Sequence, residues 1–172
     1  WYITGSYQPY MESGPVMNVL FVCTGNTCRS PMCEGYFRKL AREANTPAIR
    51  CASAGTCTCN GLPASRNSIL VMQENGEDIT GHTASVLSER LVSEADLIIT
   101  MTASHRTAVL ECFPEVREKI HLLNEFRSDS RRNTGVADPY GGSPDVYRNC
   151  FEEMKEPLRN LFLDVLNHTK TT

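Results

Sequence analysis

One segment of the chain has residue types and spacing that fit the chemistry of phosphate, the octapeptide CTGNTCRS from Cys23 to Ser30. Gly25 permits backbone conformations in which successive amide N–H groups face one ligand, and Arg29 supplies a planar fork of donors for phosphate oxygens. Positive surroundings of this kind favour the thiolate form of a cysteine such as Cys23. A thiolate beneath a bound phosphoryl group is a nucleophile directed at phosphorus, and Ser30 is available as a hydrogen-bond donor to the sulfur.

This octapeptide lies between a strand and a helix that would hold it in place. Residues 17–23 (MNVLFVC) form a nearly continuous apolar run, which is typical of a strand buried on both faces. Ser30 and Pro31 predict the start of a helix, with Ser30 as its N-cap, and apolar residues at helical spacing extend it to about Ala44. Cys23 alone could be a small core residue, but the order strand, Cys, Gly, Arg, Ser-Pro and helix favours a functional site.

The rest of the chain alternates predicted strands with predicted helices. We predict further strands at 48–54, 96–101 and 119–122, a polar loop at 124–142, and helices at 64–74, 88–94, 102–112 and from Ser143 onwards. Pro157 lies in the apolar stripe of the last helix and is expected to kink that helix rather than end it. The alternation predicts a single α/β domain with a parallel, doubly wound sheet, in which ligands bind at the carboxyl ends of the strands.

Length and composition restrict the class of protein. The chain has 172 residues, 41% of them hydrophobic, and its 17 basic and 20 acidic residues give a net charge of −3. These values fit one globular domain and exclude a globally basic nucleic-acid binder. The longest apolar run, 19–23, is too short to cross a bilayer. A signal peptide would require basic residues near its start, but no basic residue precedes Arg29. We therefore expect a cytoplasmic monomer without nucleic-acid or membrane partners.

Two further features bear on the extent and redox state of this domain. Residues 1–16 lack any period and do not begin with Met, so we interpret them as a cloning remnant or a disordered leader. The domain is then expected to comprise residues 17–172. The eight cysteines are interpreted as reduced thiols, because a chain of this size and apolar content needs no disulfide to fold.

The segment CTGNTCRSPM resembles the signature loop of the low-molecular-weight protein phosphatases, and the similarity extends from Met17 to about Leu166. The segments SAG at 53–55, EADLIITM at 94–101 with a histidine soon after, and DPYGG at 138–142 fall where that family has similar runs. The resemblance implies a flavodoxin-like fold, with a doubly wound, four-stranded parallel sheet and helices on both of its faces. It also implies a cysteine-dependent protein phosphatase that acts on phosphorylated proteins.

The same resemblance assigns roles to individual residues. Cys23 would be the nucleophile of a two-step reaction through a phosphocysteine, Arg29 would bind the phosphoryl group, and Asp138 would be the general acid. A positioned carboxyl that protonates the leaving group also makes sense from chemistry alone. Because the loop amides and Arg29 already supply positive charge, no metal or other cofactor is expected. The predicted phosphate-binding residues are Thr24, Gly25, Asn26, Thr27, Cys28, Arg29 and Ser30.

Two residues near the predicted phosphate site bear on the choice of substrate. Thr27 carries a hydroxyl that can bind a guanidinium or a water, whereas the tyrosine-specific branch of the family tends to carry an aliphatic residue there. The loop at 138–142 that carries Asp138, here called the acid loop, has one aromatic residue, Tyr140. The tyrosine phosphatases of this family usually have two aromatic residues in that loop. The chain therefore most resembles the bacterial protein-arginine phosphatase branch, and phosphoarginine is favoured over phosphotyrosine as the substrate. Hydrolysis of phosphotyrosine remains the alternative.

Cys28 lies five residues after Cys23, so a tight loop could bring the two thiols within disulfide reach. A reversible Cys23–Cys28 bond would switch the activity off and protect Cys23 from irreversible oxidation. The alternative is that Cys28 simply faces the core. The resemblance favours the redox role.

Two other functions compete with phosphatase activity. An arsenate reductase shares this fold and loop, but it needs two relay cysteines, and Cys51, Cys57 and Cys59 lie earlier in the chain than the pair of that family. A zinc-binding module could use the same three cysteines with His82, although Cys-x-Cys without a second spaced pair is a weak zinc signal. His105 is interpreted as a structural or surface residue.

Overall fold

A four-stranded parallel sheet forms the centre of the protein in the computed structural model, which describes residues 16–171. The strands β1 (Met17–Cys23), β2 (Ile49–Gly55), β3 (Leu97–Thr100) and β4 (Ile120–Leu122) are arranged in the order β2-β1-β3-β4. The described helices are α1 (Arg29–Glu43), α2 (Arg66–Glu74), α3 (Glu89–Glu94), α4 (Ala103–Cys112) and α5 (Pro144–Thr171). The flavodoxin-like α/β fold expected from the sequence is confirmed.

The side chains of β1 alternate between two hydrophobic cores, because successive residues of a strand point to opposite faces of the sheet. Phe21 belongs to the larger core, where its ring lies 5.4 Å from that of Phe37 on α1, which in turn lies 5.5 Å from that of Phe162 on α5. Leu20 and Val22 belong to the smaller core, which they share with residues of α3 and α4. Helices therefore cover both faces of the sheet.

The carboxyl ends of the strands meet at one edge of the sheet. Cys23 at the end of β1 pairs with Gly55 of β2, and Val22 pairs with Thr100 of β3. A Cβ at position 55 would lie 2.5 Å from the carbonyl oxygen of Thr24, so a glycine there lets the chain after β1 lie directly against the end of β2. Loops that follow different strands are thereby brought into one site.

The start of α1 differs from the prediction. Its N-cap is Cys28 rather than Ser30, and no side chain caps the helix. Ser30 lies inside the helix and its hydroxyl instead contacts Cys23 and Asn26. The Ser-Pro pattern indicated the right helix, but the serine is used by the loop, so the capping prediction was wrong.

Other differences concern short elements. Three 3-10 helices cover Pro114–Lys119, Leu123–Phe126 and Ser130–Asn133, and the last two interrupt the segment predicted as a polar loop. α5 continues through Pro157, so this proline does not end the helix, and the kink expected there stays a prediction. The predicted leader falls outside the described residues except for Val16. Within residues 16–171, no helix is both long and apolar enough to span a membrane.

Candidate active site

The loop between β1 and α1, residues 24–28, borders a cavity of about 220 Å³ at the carboxyl edge of the sheet. Segments that are distant in the sequence meet in this cavity, because the acid loop after the last 3-10 helix reaches the end of β1. The lining residues are Cys23, Thr24, Gly25, Thr27, Cys28, Arg29, Asp138 and Tyr140. Of the predicted site residues, Asn26 and Ser30 do not line this cavity, and both are fully buried.

The carbonyl groups of this loop are all bound by neighbouring segments. Each carbonyl oxygen from residue 23 to residue 28 accepts a hydrogen bond of 2.7–3.4 Å from a donor outside the loop. For residues 23 to 27 the donors are, in order, Thr56 N, Cys57 N, Thr58 Oγ1, His82 Nε2 and Ser65 N. The carbonyl of Cys28 accepts from both Ser68 Oγ and Met32 N. Within the described chain, by contrast, no backbone N–H of residues 24–28 donates to a protein acceptor. These amides remain available to an anion, which is the arrangement of an anion-binding nest.

Asn26 fixes the turn of this loop. Its φ of 53° lies in the left-handed region, which asparagine tolerates better than most residues. The buried side chain is hydrogen-bonded at both ends: Nδ2 donates to Ser30 Oγ at 2.8 Å and to Ser53 Oγ at 2.9 Å, and Oδ1 accepts from Ser85 N at 2.8 Å. Three separate segments therefore hold the turn in its unusual conformation.

A second layer of polar residues supports Asn26 from behind. Ser53 Oγ donates to Glu34 Oε2 at 2.5 Å, and His82 Nδ1 lies 3.9 Å from the same carboxylate oxygen. Because a carbonyl can only accept, His82 Nε2 donates to the carbonyl of Asn26. This layer was not predicted from the sequence, because its members come from α1, β2 and the chain before α3 and form no local motif.

Cys23 is 2% exposed, and its sulfur lies 2.9 Å from Ser30 Oγ. The direction of this contact follows from its neighbours. An amide nitrogen is only a donor, so Ser30 Oγ accepts the hydrogen bond from Asn26 Nδ2. The hydroxyl hydrogen of Ser30 can therefore point at the sulfur. This donor and the uncapped N-terminus of α1 both stabilise negative charge at the end of β1.

The guanidinium of Arg29 is buried and only partly satisfied. Nη1 donates to the carbonyl of Val136 at 3.0 Å, and Nη2 lies 3.3 Å from Asp138 Oδ2. Nε is buried without a hydrogen-bond partner in the described part of the chain. A buried charged donor without an acceptor is unfavourable, and an oxyanion in the adjoining cavity would provide one.

Asp138 stands at the rim of the cavity with its side chain 54% exposed. Its Oδ1 accepts from the N–H of Tyr140 at 3.2 Å, and the turn continues through Gly141, whose φ of 77° favours glycine. Tyr140 is 80% exposed beside the opening. The acid loop thus holds one carboxylate and one aromatic ring at the entrance.

Cys28 contributes a thiol to the same cavity. Its Sγ lies 3.2 Å from the hydroxyl of Tyr147 and 3.6 Å from Thr27 Oγ1. Burial, followed by the contact with Cys28, raises the pKa of Tyr147 to about 12, so the phenol stays protonated at neutral pH and can donate to the sulfur.

The cysteines considered as zinc ligands do not come together. Cys57 and Cys59 are exposed, whereas Cys51 is half-buried and donates to the carbonyl of Glu34, and burial raises its pKa to about 12. Among residues 16–171, no group of three or more His, Cys, Asp or Glu side chains is arranged to hold a metal ion. The zinc-module hypothesis therefore has no ligand set in this part of the chain.

A larger cavity of about 650 Å³ lies at the opposite end of the sheet, near Met17 and Asp96. None of the predicted site residues lines it. The chemistry described above lies instead at the carboxyl edge of the sheet.

Comparison with known proteins agrees with this geometry. Residues 18–171 match the family described as low molecular weight phosphotyrosine protein phosphatase. A protein-arginine-phosphatase of Bacillus subtilis (strain 168) is 37% identical over 146 residues, which cover 84% of this chain and 94% of that protein. A solved low molecular weight protein tyrosine phosphatase from T. tengcongensis is 38% identical, with a TM-score of 0.80 and coverage of 86% and 99% of the two chains. A YwlE arginine phosphatase mutant with a phosphorylated active-site serine is 34% identical, with a TM-score of 0.81 and coverage of 87% and 95%. The chain belongs to the low molecular weight phosphotyrosine protein phosphatase family.

Proposed function

We propose that the protein is a metal-independent protein phosphatase that works through a phosphocysteine and hydrolyses phosphoarginine in proteins. The observation that carries this proposal is the loop of residues 24–28, whose carbonyls are all bound from outside the loop and whose amides have no acceptor within residues 16–171. The sulfur of Cys23 and the unpaired Nε of Arg29 lie at the same cavity. A tetrahedral oxyanion with a nucleophile beneath it fits this arrangement.

In the first step, the thiolate of Cys23 attacks phosphorus in line with the leaving atom. A sulfur–phosphorus bond forms as the bond from phosphorus to the leaving nitrogen or oxygen breaks. The loop amides and Arg29 bind the equatorial oxygens, on which negative charge develops. Asp138, at the open side of the cavity, donates its proton to the leaving group, so that a neutral guanidine or phenol departs.

In the second step, water enters from the open side of the cavity. Asp138, now a carboxylate, takes a proton from that water as the oxygen attacks phosphorus. The sulfur–phosphorus bond breaks and its electron pair returns to Cys23, where Ser30 donates a hydrogen bond to the restored thiolate. Inorganic phosphate leaves, and the carboxyl of Asp138 is again protonated.

The choice of phosphoarginine is supported by the polar side of the cavity. Thr27 lines it with a hydroxyl whose described contact is the 3.6 Å approach to the sulfur of Cys28. That hydroxyl can accept from an N–H of a guanidinium, and the carboxyl of Asp138, at the rim of the cavity, can hydrogen-bond to the same group. The B. subtilis relative is named as a protein-arginine-phosphatase, which agrees with this choice. The similar structure from T. tengcongensis is named as a tyrosine phosphatase, so specificity needs a direct test.

Initial rates on matched phosphoarginine and phosphotyrosine peptides under reducing conditions test the proposal. We expect a higher kcat/KM on the phosphoarginine peptide than on the phosphotyrosine peptide. Thr27→Val should lower the kcat/KM on phosphoarginine by about tenfold, because this substitution removes the hydroxyl at nearly constant volume. Thr58→Val is a control for loop disturbance, since Thr58 supports the carbonyl of Gly25 but does not line the cavity. Preference for phosphotyrosine would keep the mechanism and refute the substrate assignment. No turnover of either peptide would refute both.

We also propose that Cys28 protects the nucleophile from oxidation. Hydrogen peroxide would convert the thiolate of Cys23 to a sulfenic acid, and the sulfur of Cys28 would displace its oxygen as water to form a disulfide. The two residues line the same cavity, which supports the proposal. Peptide mapping after mild peroxide treatment should give a Cys23–Cys28 crosslink that dithiothreitol reverses. Irreversible sulfinic acid at Cys23, at the same rate in wild type and Cys28→Ala, would refute it.

A further inference from the structure

The start of α4 lies between the loop of residues 24–28 and the segment that carries Asp138. A buried histidine connects these two segments. His105 is 6% exposed. Its Nε2 lies 2.7 Å from Thr24 Oγ1, and its Nδ1 lies 2.9 Å from Thr102 Oγ1. Thr24 directly follows Cys23 in the chain, and its other hydrogen bond within the described residues is the one that its carbonyl accepts from the N–H of Cys57.

The chain at residues 101–102, just before α4, is also attached to the segment that leads to Asp138. The N–H of Val136 donates to the carbonyl of Met101 at 2.8 Å. Gly135 packs so closely on Thr102 that a Cβ there would lie 2.9 Å from Thr102 Cγ2. The carbonyl of Val136 in turn accepts from Arg29. Residues 135–138 are therefore fixed to the chain that carries Thr102.

The imidazole of His105 is suited to join these two sides. Burial, followed by the charge of Arg29, lowers the pKa of His105 to about 4, although the charge of Asp138 acts in the opposite direction. The ring is therefore neutral at neutral pH, with one nitrogen that donates and one that accepts. Thr102 Oγ1 also accepts from the backbone N–H of His105 as the N-cap of α4, which fixes the ring relative to the helix.

We propose that His105 is a positioning residue, which acts through the hydroxyl of Thr24 to hold the nucleophile loop in register with the segment that carries Asp138. This inference rests on the proposed phosphatase activity. Both ring nitrogens are used, one toward each threonine hydroxyl, so the role is specific to the chemistry of the imidazole and not to its volume. From the sequence we interpreted His105 as a structural or surface residue, and its burial excludes the surface interpretation.

The proposal predicts a loss in kcat rather than in substrate binding. We expect His105→Ala to lower kcat at least tenfold with KM within about threefold, since a small misplacement of reacting groups is costly for the chemical step. His105→Gln, which keeps a donor and an acceptor at similar reach, should recover most of kcat. His121→Ala is the matched control, because His121 pairs with Glu125 away from the cavity, and its kcat should stay at the wild-type value.

A double-mutant cycle with Thr24 tests the connection itself. Thr24→Val should lower kcat about as much as His105→Ala, and the double variant Thr24→Val/His105→Ala should lose no more than either single variant. Multiplicative losses, or a His105→Ala enzyme with wild-type kcat, would overturn the proposal. Loss of stability in His105→Ala without recovery of kcat by His105→Gln would also overturn it. If the wild type itself has no phosphatase activity, both the proposed function and this inference fail, and the unmutated enzyme shows this directly.

Discussion

Ser30 offers a direct measure of how the site stabilises its nucleophile. Its buried hydroxyl accepts from Asn26 at 2.8 Å and lies 2.9 Å from the sulfur of Cys23. Ser30→Ala removes both contacts. A hydrogen bond to a charged group contributes about 1.5–3 kcal/mol, and each 1.4 kcal/mol is a factor of ten in rate, so kcat/KM should fall about tenfold to hundredfold.

Ser53→Ala is the matched comparison for that variant. Ser53 Oγ also accepts from Asn26 Nδ2, at 2.9 Å, but Ser53 has no contact with Cys23. Ser53→Ala removes the hydrogen bond from Asn26 and the one that Ser53 donates to Glu34, and neither bond involves the sulfur. Because its effect reaches the nucleophile only through Asn26, kcat/KM should fall only about fivefold, which corresponds to about 1 kcal/mol. Steady-state rates on a phosphorylated peptide and vanadate binding would be measured for both variants. Equal losses for Ser30→Ala and Ser53→Ala would refute the argument that the hydroxyl of Ser30 points at the sulfur.

Three further perturbations test other parts of the account. Cys23→Ser should abolish turnover while vanadate still binds, and turnover at the wild-type rate would exclude Cys23 as the nucleophile. Asp138→Ala should lose far more activity toward poor leaving groups than toward good ones, and equal losses would remove its role as the acid. His105 has a pKa lowered to about 4, below the value of about 6.5 in an unfolded chain, so the unfolded state binds a proton more tightly between these pH values. The free energy of unfolding should therefore decrease as the pH falls from about 6.5 to 4, by up to about 3 kcal/mol from this group. Urea unfolding of wild type and His105→Gln across this range would measure the difference, and identical pH dependence would contradict it.

The sequence was most informative where chemistry and local structure share the same residues. Cys23 and Arg29 lie on either side of one strand–loop–helix junction, so the cavity they line was predictable from spacing alone. Asp138 was predictable only from the family resemblance, because Asp-Pro-Tyr-Gly-Gly by itself reads as a turn. The structure brings its carboxylate to 3.3 Å from Arg29.

The parts that escaped prediction depend on contacts between distant segments. Ser30 had the pattern of an N-cap, but its hydroxyl is used by Cys23 and Asn26, which no local pattern encodes. His82 was considered only as a metal ligand, although it donates to the carbonyl of Asn26. The donors that bind the loop carbonyls come from four different stretches of chain, so the free amides of the nest become visible only in three dimensions.

The most direct test of the central claim is to find the phosphoryl group on the enzyme during turnover. Asp138→Ala would be mixed with a phosphoarginine peptide, quenched within the first turnover, digested and mapped by mass spectrometry, with Cys23→Ala as the control. The account predicts a phosphoryl group on the peptide that contains Cys23, and none in the control. A phosphoryl group on any other residue, or release of phosphate in the first turnover with Cys23 unmodified throughout, would contradict it.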